Sequence, residues 1–383
     1  MMRCARRYGV AASAFALAFS LASSASGGTT EPTLDKAWEA SGPIDPETLA
    51  ADELGAVALG GGGEIVVLDT SGEQRWRLTI PREGGFGPLA IGGDLIVVPI
   101  DHDSYVGINR VTPAIQWEHF LAGASVAAVG AGPGGSTAVA LVSDGGVLEL
   151  VDGASGTVRW TVAVAVDDGM VAERAWVIDD RVLLAWADDA GSHLRVFATD
   201  GGAVVWQHDA PEFSSTPAVF AGTVTFAENI RLDRKERVVA EVRSLALADG
   251  RERWDRGGRS TSGYWAAIST AAGADGVALV DIAGRVTVVD PTSGRVRWKH
   301  TTNLAQVAAE PHVVGDVFAM TTYGTGIVLA EMADGAPIYG SVVDEGQTVM
   351  TIESSVAVGG SLYLLVSWSW GDTEVWKLQG EPA

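Results

Sequence analysis

Short runs in which apolar and polar positions alternate at period two recur along the chain, separated by turns rich in Gly, Asp and Ser. That pattern predicts β-strands and hairpins rather than helices. One phrase keeps returning. It is clearest at 65–76, IVVLDTSGEQRW, and comes back at 147–160 and 286–298 as an apolar strand, an Asp/Ser turn, and a Trp four residues after a Gly. The Gly supplies the positive φ of a tight turn, and the neighbouring Asp or Ser can bond the turn backbone. Looser copies end at Trp117, Trp206, Trp254 and Tyr339, and a partial one at Trp38.

From Trp38 to Tyr339 the successive aromatics are 38, 41, 43, 46, 48, 44 and 41 residues apart. This period holds four short strands with their turns, the length of one propeller blade. The repeats span roughly 47–80, 85–122, 125–165, 169–209, 214–257, 263–302 and 306–342. The segment Leu34–Ala40 reads as a last strand without its preceding three, and three unpaired strands lie in 349–379. The expected fold is therefore all-β: an eight-bladed propeller of four-stranded antiparallel blades, its N-terminal strand completing the C-terminal blade so that no open edge remains. Seven blades is the alternative if the second repeat, with Pro113 at the usual Gly position, is miscounted. A Trp once per blade at one level fills the gap between facing sheets while its indole N–H finds a carbonyl.

The N-terminus changes the compartment. A basic start with Arg3, Arg6 and Arg7, an apolar run from Val10 to Ala22 and the small residues 23–26 form a secretory signal, with cleavage expected after Ala25. Residues 26–33 then form a flexible leader, and 34–383 a single propeller domain. Cys4 precedes the apolar run and is the only cysteine, so disulfides, thiolate chemistry and cysteine metal sites are excluded from the mature chain. Apolar residues make up 47%, enough for a large core, and the formal net charge of −22 becomes −25 once the signal is removed. So acidic a surface repels phosphate backbones, and nucleic acid is not an expected partner.

Chemistry-bearing residues are scattered. His119, His208 and His300 each follow a repeat Trp by two residues, but equivalent positions in separate blades lie too far apart for one metal ion, whose bonds are about 2 Å long. His102, His193 and His312 form no motif. The acidic groups Asp101–Asp103, Asp167–Asp168, Asp179–Asp180 and Asp188–Asp189 fall at strand ends without calcium-loop spacing, and turn duty is their expected role. No pair of carboxylates stands out as catalytic. Two aromatic groups are candidate partner-binding sites: Trp368 with Trp370, on one side of a strand, and Tyr264 with Trp265, after a Gly/Ser/Arg loop. Core packing is the competing reading for both. Residues 231–237 are expected to project as a long charged hairpin.

The phrases LDTSG with Trp76 and VDPTSG with Trp298 resemble the PQQ-type propeller repeat. That repeat occurs in quinoprotein alcohol dehydrogenases and in BamB, the non-enzymatic scaffold of outer-membrane protein assembly, and the resemblance covers nearly the whole mature chain. Its enzymatic branch implies a quinone covered by a disulfide of adjacent cysteines and polarised by calcium. This chain has no such cysteines and no evident calcium set, so neither PQQ nor calcium is expected. The non-enzymatic branch implies a monomeric scaffold, secreted or extracytoplasmic, for a cell-envelope protein. A carbohydrate-binding or carbohydrate-active propeller is the alternative. The Ala/Gly/Val/Asp-rich composition also suits bacteria without an outer membrane, where the assembly role could not apply.

Overall fold

In this computed structural model, described residues run from 34 to 380, apart from 43–45, 82–84, 165–169, 214, 233–237, 258–266, 274–275, 282–284, 302–310, 315–316, 323–325, 333, 339–349, 359–360 and 369–371. The expected signal and leader, residues 1–33, thus lie outside them. Seven sheets each take four consecutive antiparallel strands. They are blade 1 (46–79), blade 2 (90–120), blade 3 (124–163), blade 4 (171–210), blade 5 (218–257), blade 6 (267–301) and blade 7 (312–338). The remaining sheet, blade 8, is composite: the strands Met350–Val358, Ser361–Trp368 and Thr373–Gly380 are completed by Leu34–Ser41, giving eight four-stranded sheets in all. The N-terminal strand pairs antiparallel with the C-terminal one, Glu39 opposite Trp376 and Ala40 opposite Val375.

Sequence patterning explains the layering. The second strands Gly55–Gly60 and Leu95–Ile100 are buried at every position, whereas the fourth strand Gln74–Thr79 is mostly exposed. A middle strand covered on both faces reads as a continuous apolar run, and an outer strand needs only one apolar face. Because successive side chains point to opposite faces, each middle strand feeds two cores. Val57 and Leu59 pack with Ile96 and Val98 of blade 2, while Ala56 and Ala58 pack with Tyr363 and Leu365 of blade 8. The same division continues round the molecule, so that every junction between neighbouring blades has its own apolar cluster, including those joining blade 8 to blades 7 and 1. The ring is closed.

The first strand of each sheet lies innermost, and the first strands of successive blades touch from blade 1 to blade 4 and from blade 5 round to blade 1. In blades 1, 3, 4, 6 and 8 this strand slips by one residue, leaving Glu47, Ser125, Glu173, Ile268 and Glu353 unpaired. Such bulges sharpen the local twist. Strands Thr223–Leu232 and Val238–Ala246 of blade 5 form the long hairpin, paired out to Leu232 opposite Val238, with the rest of its charged tip outside the described residues. No helix among the described residues is long and apolar enough to cross a membrane.

Candidate binding surfaces of the ring

The turn between the third and fourth strands is built the same way in several blades. Asp290 Oδ1 accepts the N–H and hydroxyl of both Thr292 and Ser293, and its other oxygen takes Arg297. Asp69 does this with Ser71, Glu73 and Arg75, and Asp152 with Ala154, Ser155 and Arg159. These donors, led by the Ser71 hydroxyl at Asp69, the Arg159 guanidinium at Asp152 and the Thr292 hydroxyl at Asp290, hold the three carboxyls below the usual carboxylate range. The corresponding turns of blades 2 to 7 each receive the Trp of the preceding blade. Trp76 Nε1 donates to Arg110 O at 2.6 Å, Trp117 to Gly153 O at 2.8 Å, Trp160 to Thr199 O at 2.9 Å, Trp206 to Leu247 O at 2.7 Å, Trp254 to Pro291 O at 2.9 Å and Trp298 to Met332 O at 2.9 Å. Trp38 lies on the closing strand opposite Lys377, only its backbone described, and Tyr339 falls outside the described residues.

The turn glycine has a second duty beyond its positive φ. At Gly156, Gly202, Gly250, Gly294 and Gly335 an added Cβ would fall 2.7–2.9 Å from the indole of the preceding blade. Glycine lets ring and backbone stack. Gly250→Ala is therefore expected to cost at least about 2 kcal/mol through strain and clash together. Gly222→Ala, also at positive φ but with nothing within 4 Å of its Cβ, should cost about 1 kcal/mol. Urea unfolding of the two variants checks the difference, and equal midpoints would contradict the stacking role.

Two of the Trp-proximal histidines also reach the next blade. His119 Nε2 lies 2.6 Å from Glu149 Oε2, and His208 Nε2 lies 2.7 Å from Glu228 Oε2, whose other oxygen takes Arg243. Burial raises the Glu228 carboxyl, but the His208 and Arg243 contacts outweigh it and leave the group below its ordinary value. His300 is exposed, and His193 bridges Asp188 and Asp209 while stacking on Trp186. Asp188 also caps its turn, accepting from the Ala190 and Gly191 amides, and Asp101, His102 and Asp179 adopt positive φ at turns. Asp167 and Asp168 lie outside the described residues. Among the described residues no three His, Cys, Asp or Glu side chains are grouped to hold a metal ion.

These contacts give a pH dependence of defined sign. Asp69, Asp152, Asp290 and Glu228 have folded values below the ordinary 3.8 and 4.5, so the stability they contribute is complete above those values and is lost as pH falls below them. Glu173 and Glu241 act oppositely, desolvation by burial raising both carboxyls. The melting temperature is expected to fall steeply below about pH 4, and less steeply for Asp290→Asn, in a thermal melt series.

The channel is the other surface. A cavity of about 230 Å³ is walled by the inner strands of blades 4 to 8, with Arg174, Trp176, Thr270, His312 and Ser355 as its polar or aromatic members. Arg174 lies over the Trp176 ring at 5.7 Å, His312 Nε2 is 2.7 Å from Ser355 Oγ, and the Thr270 hydroxyl donates to Thr216 O at 2.7 Å. Sequence reasoning singled out none of these but His312, and that one as isolated. The innermost position of a strand such as Val171–Ile178 was the available signal. Of the predicted partner-binding aromatics, Trp370, Tyr264 and Trp265 lie outside the described residues, and Trp368 is the last residue of its strand with only its backbone described.

Comparison with known proteins is consistent with this geometry. No curated protein matches the chain by sequence. Among solved structures, BamB from Moraxella catarrhalis superposes with a TM-score of 0.66 at 17% identity, covering 90% of this chain and 100% of that one. The computationally designed Ika8 protein gives 0.62 at 12% identity, covering 89% and 99%. These likenesses concern the fold. The sequence itself matches the family described as outer membrane protein assembly factor BamB over residues 28–174 and 144–379. With its repeats, its ring and nearly its whole length accounted for by that match, the chain belongs to the BamB family of PQQ-repeat β-propellers.

Proposed function

We propose that this chain is an exported, non-catalytic scaffold: a closed ring of eight blades, the composite sheet counted as one, that binds a protein of the cell envelope. The observation that carries this reading is the family match over residues 28–379, and the fold supplies a mechanism. Turns pinned by Asp and Trp contacts on a closed ring keep their positions, so little conformational entropy is lost when a partner binds several of them. Nothing in this requires an outer membrane, only an envelope protein to bind.

The carbohydrate reading is less well supported. The residues lining the described cavity include one aromatic platform, Trp176, and no carboxylate, and Glu173 is the carboxylate placed nearby on the inner strand Val171–Ile178, whereas glycoside cleavage uses two carboxyl groups flanking the bond. The proposal is tested by placing a photoreactive residue at exposed Val171 and at exposed Phe120, then irradiating intact envelopes. A discrete adduct with an envelope protein is expected, carried by a chain that begins at Ser26. No adduct from either position, or retention of the chain in the cytoplasm, would overturn the reading.

A further inference from the structure

Exposed apolar side chains are not spread evenly over the ring. Of the eight large ones exposed among the described residues, six lie in blades 1 to 4: Leu54, Val111, Ile115, Val158, Val204 and Val205. All six are at the end of the strands that carries the first-to-second and third-to-fourth turns, and the other two, Phe120 and Val171, are at the opposite end. Three of the six recur by position. Ile115, Val158 and Val204, 51%, 39% and 50% exposed, each stand two residues after the turn Gly, or after Pro113 in its place, in three consecutive blades. Gln74 and Glu252 hold that position in blades 1 and 5, so a polar residue serves the strand there equally well. Singly exposed apolar residues are ordinary, whereas a row of them along one rim marks a contact surface.

The rim includes a cavity where the repeat departs from its pattern. In blades 3 to 7 a Gly stacks on the preceding Trp, but Pro113 holds that position in blade 2, and no described glycine covers Trp76. Asn109 holds the turn instead, its Oδ1 accepting the Val111 and Thr112 amides at 2.9 and 2.7 Å. A cavity of about 190 Å³ opens there, with buried Val67 and Leu68 beneath and exposed Leu54 and Val111 at its border. Its volume suits one apolar side chain. The two guanidiniums beside it are already committed, Arg110, only 4% exposed, to Asp52 and Arg75 to Asp69.

Charge decides what covers this rim. Arg75, Arg110, Arg159 and Arg181 of the same turns pair with Asp69, Asp52, Asp152 and Asp180. Glu53, Glu73, Asp94, Asp179 and Asp200 are exposed and belong to none of these pairs. Lys377 of blade 8 borders the patch, 3.3 Å from Thr70 O, so that five carboxylates stand against one ammonium group. Such a rim repels a second copy of this acidic chain and an anionic lipid surface, and attracts Lys and Arg side chains. We infer that the turn tips of blades 1 to 4 are the docking surface for a segment of the partner protein in which apolar and basic residues alternate. One apolar side chain enters the cavity between Leu54 and Val111, others lie on Val158 and Val204, and the basic side chains meet Asp94, Asp179 and Asp200 in the same turns. The inference rests on the scaffold reading and adds to it a contact surface at the end of the ring opposite Phe120 and Val171.

The test uses the full mature chain and fluorescein-labelled twelve-residue peptides that alternate Leu with Lys, Leu with Glu, or Ser with Lys. Fluorescence anisotropy should show the Leu/Lys peptide binding at least about tenfold more tightly than either of the others. The combined variant Val111→Ser, Val158→Ser and Val204→Ser, at exposed positions and so expected to melt like the parent, should weaken it by about tenfold or more. Asp94→Asn, Asp179→Asn and Asp200→Asn together should weaken it similarly and flatten its dependence on salt. Phe120→Ser with Val171→Ser, at the opposite end, should leave it unchanged. Equal binding of the Leu/Lys and Ser/Lys peptides, indifference to either triple variant, or an equal loss in the Phe120 and Val171 variant would each overturn the surface. The two readings fail separately: envelope crosslinks without peptide discrimination leave the scaffold without this surface, and peptide discrimination without envelope crosslinks leaves the surface without the scaffold.

Discussion

A mature chain lacking residues 34–41 is expected to lose on the order of 5 kcal/mol of stability and to become prone to association. Those residues contribute the fourth strand of blade 8, with seven registered pairs to Leu34–Ser41 from the C-terminal strand. Ladder hydrogen bonds are worth about 1 kcal/mol each net, and the strand also lies beside Val375 and Trp376, which feed the apolar clusters on the two opposite faces of the sheet. Its removal leaves Thr373–Gly380 as an unprotected edge, a template for pairing with other chains. Thermal melting and light scattering read both effects. An unchanged melt would mean that the N-terminal strand decorates the sheet without closing the ring.

The second large effect is expected at the Trp seams. Trp206→Ala should cost about 3–5 kcal/mol, the usual range for emptying a buried aromatic site. The residue is packed with Leu245 and Leu247 of the next blade, stacks over Gly250, and bonds the Leu247 carbonyl. Trp206→Phe separates the contributions, keeping much of the packing while leaving that carbonyl unpaired at a cost of about 1–3 kcal/mol. The same pair of substitutions at Trp76 should cost less, because that indole has no stacked glycine and is only half-buried. Urea unfolding of the four variants orders them, and a Trp76→Ala cost equal to that of Trp206→Ala would contradict the special character of the first junction.

Much of the ring was legible because its determinants are local and periodic. The Asp of each turn, the Gly and the Trp lie within ten residues of one another, and their return fixes the repeat length. The composite blade was legible for a related reason: Leu34–Ala40 lacks companions at one end of the chain, and three strands lack a fourth at the other. What the pattern does not carry is the identity of partners across junctions. His119 and His208 read as equivalent surface positions, yet their carboxylates, Glu149 and Glu228, come from different strands of the following blades. The channel residues Arg174, Trp176 and Ser355 are brought together by closure alone, from blades half a ring apart. Pro113 marked the second repeat as irregular, but only the geometry shows that the irregularity coincides with a cavity and a buried guanidinium.

The closed ring depends on the chain's ends meeting in one sheet, which hydrogen exchange measures without altering the protein. Amides of the segment 34–41 should exchange as slowly as those of Thr373–Gly380 and lose protection together with them as denaturant is added, since both belong to one cooperative unit. Immediate exchange across 34–41, with 373–380 still protected, would show a ring left open at its seam and would contradict the scaffold built upon it.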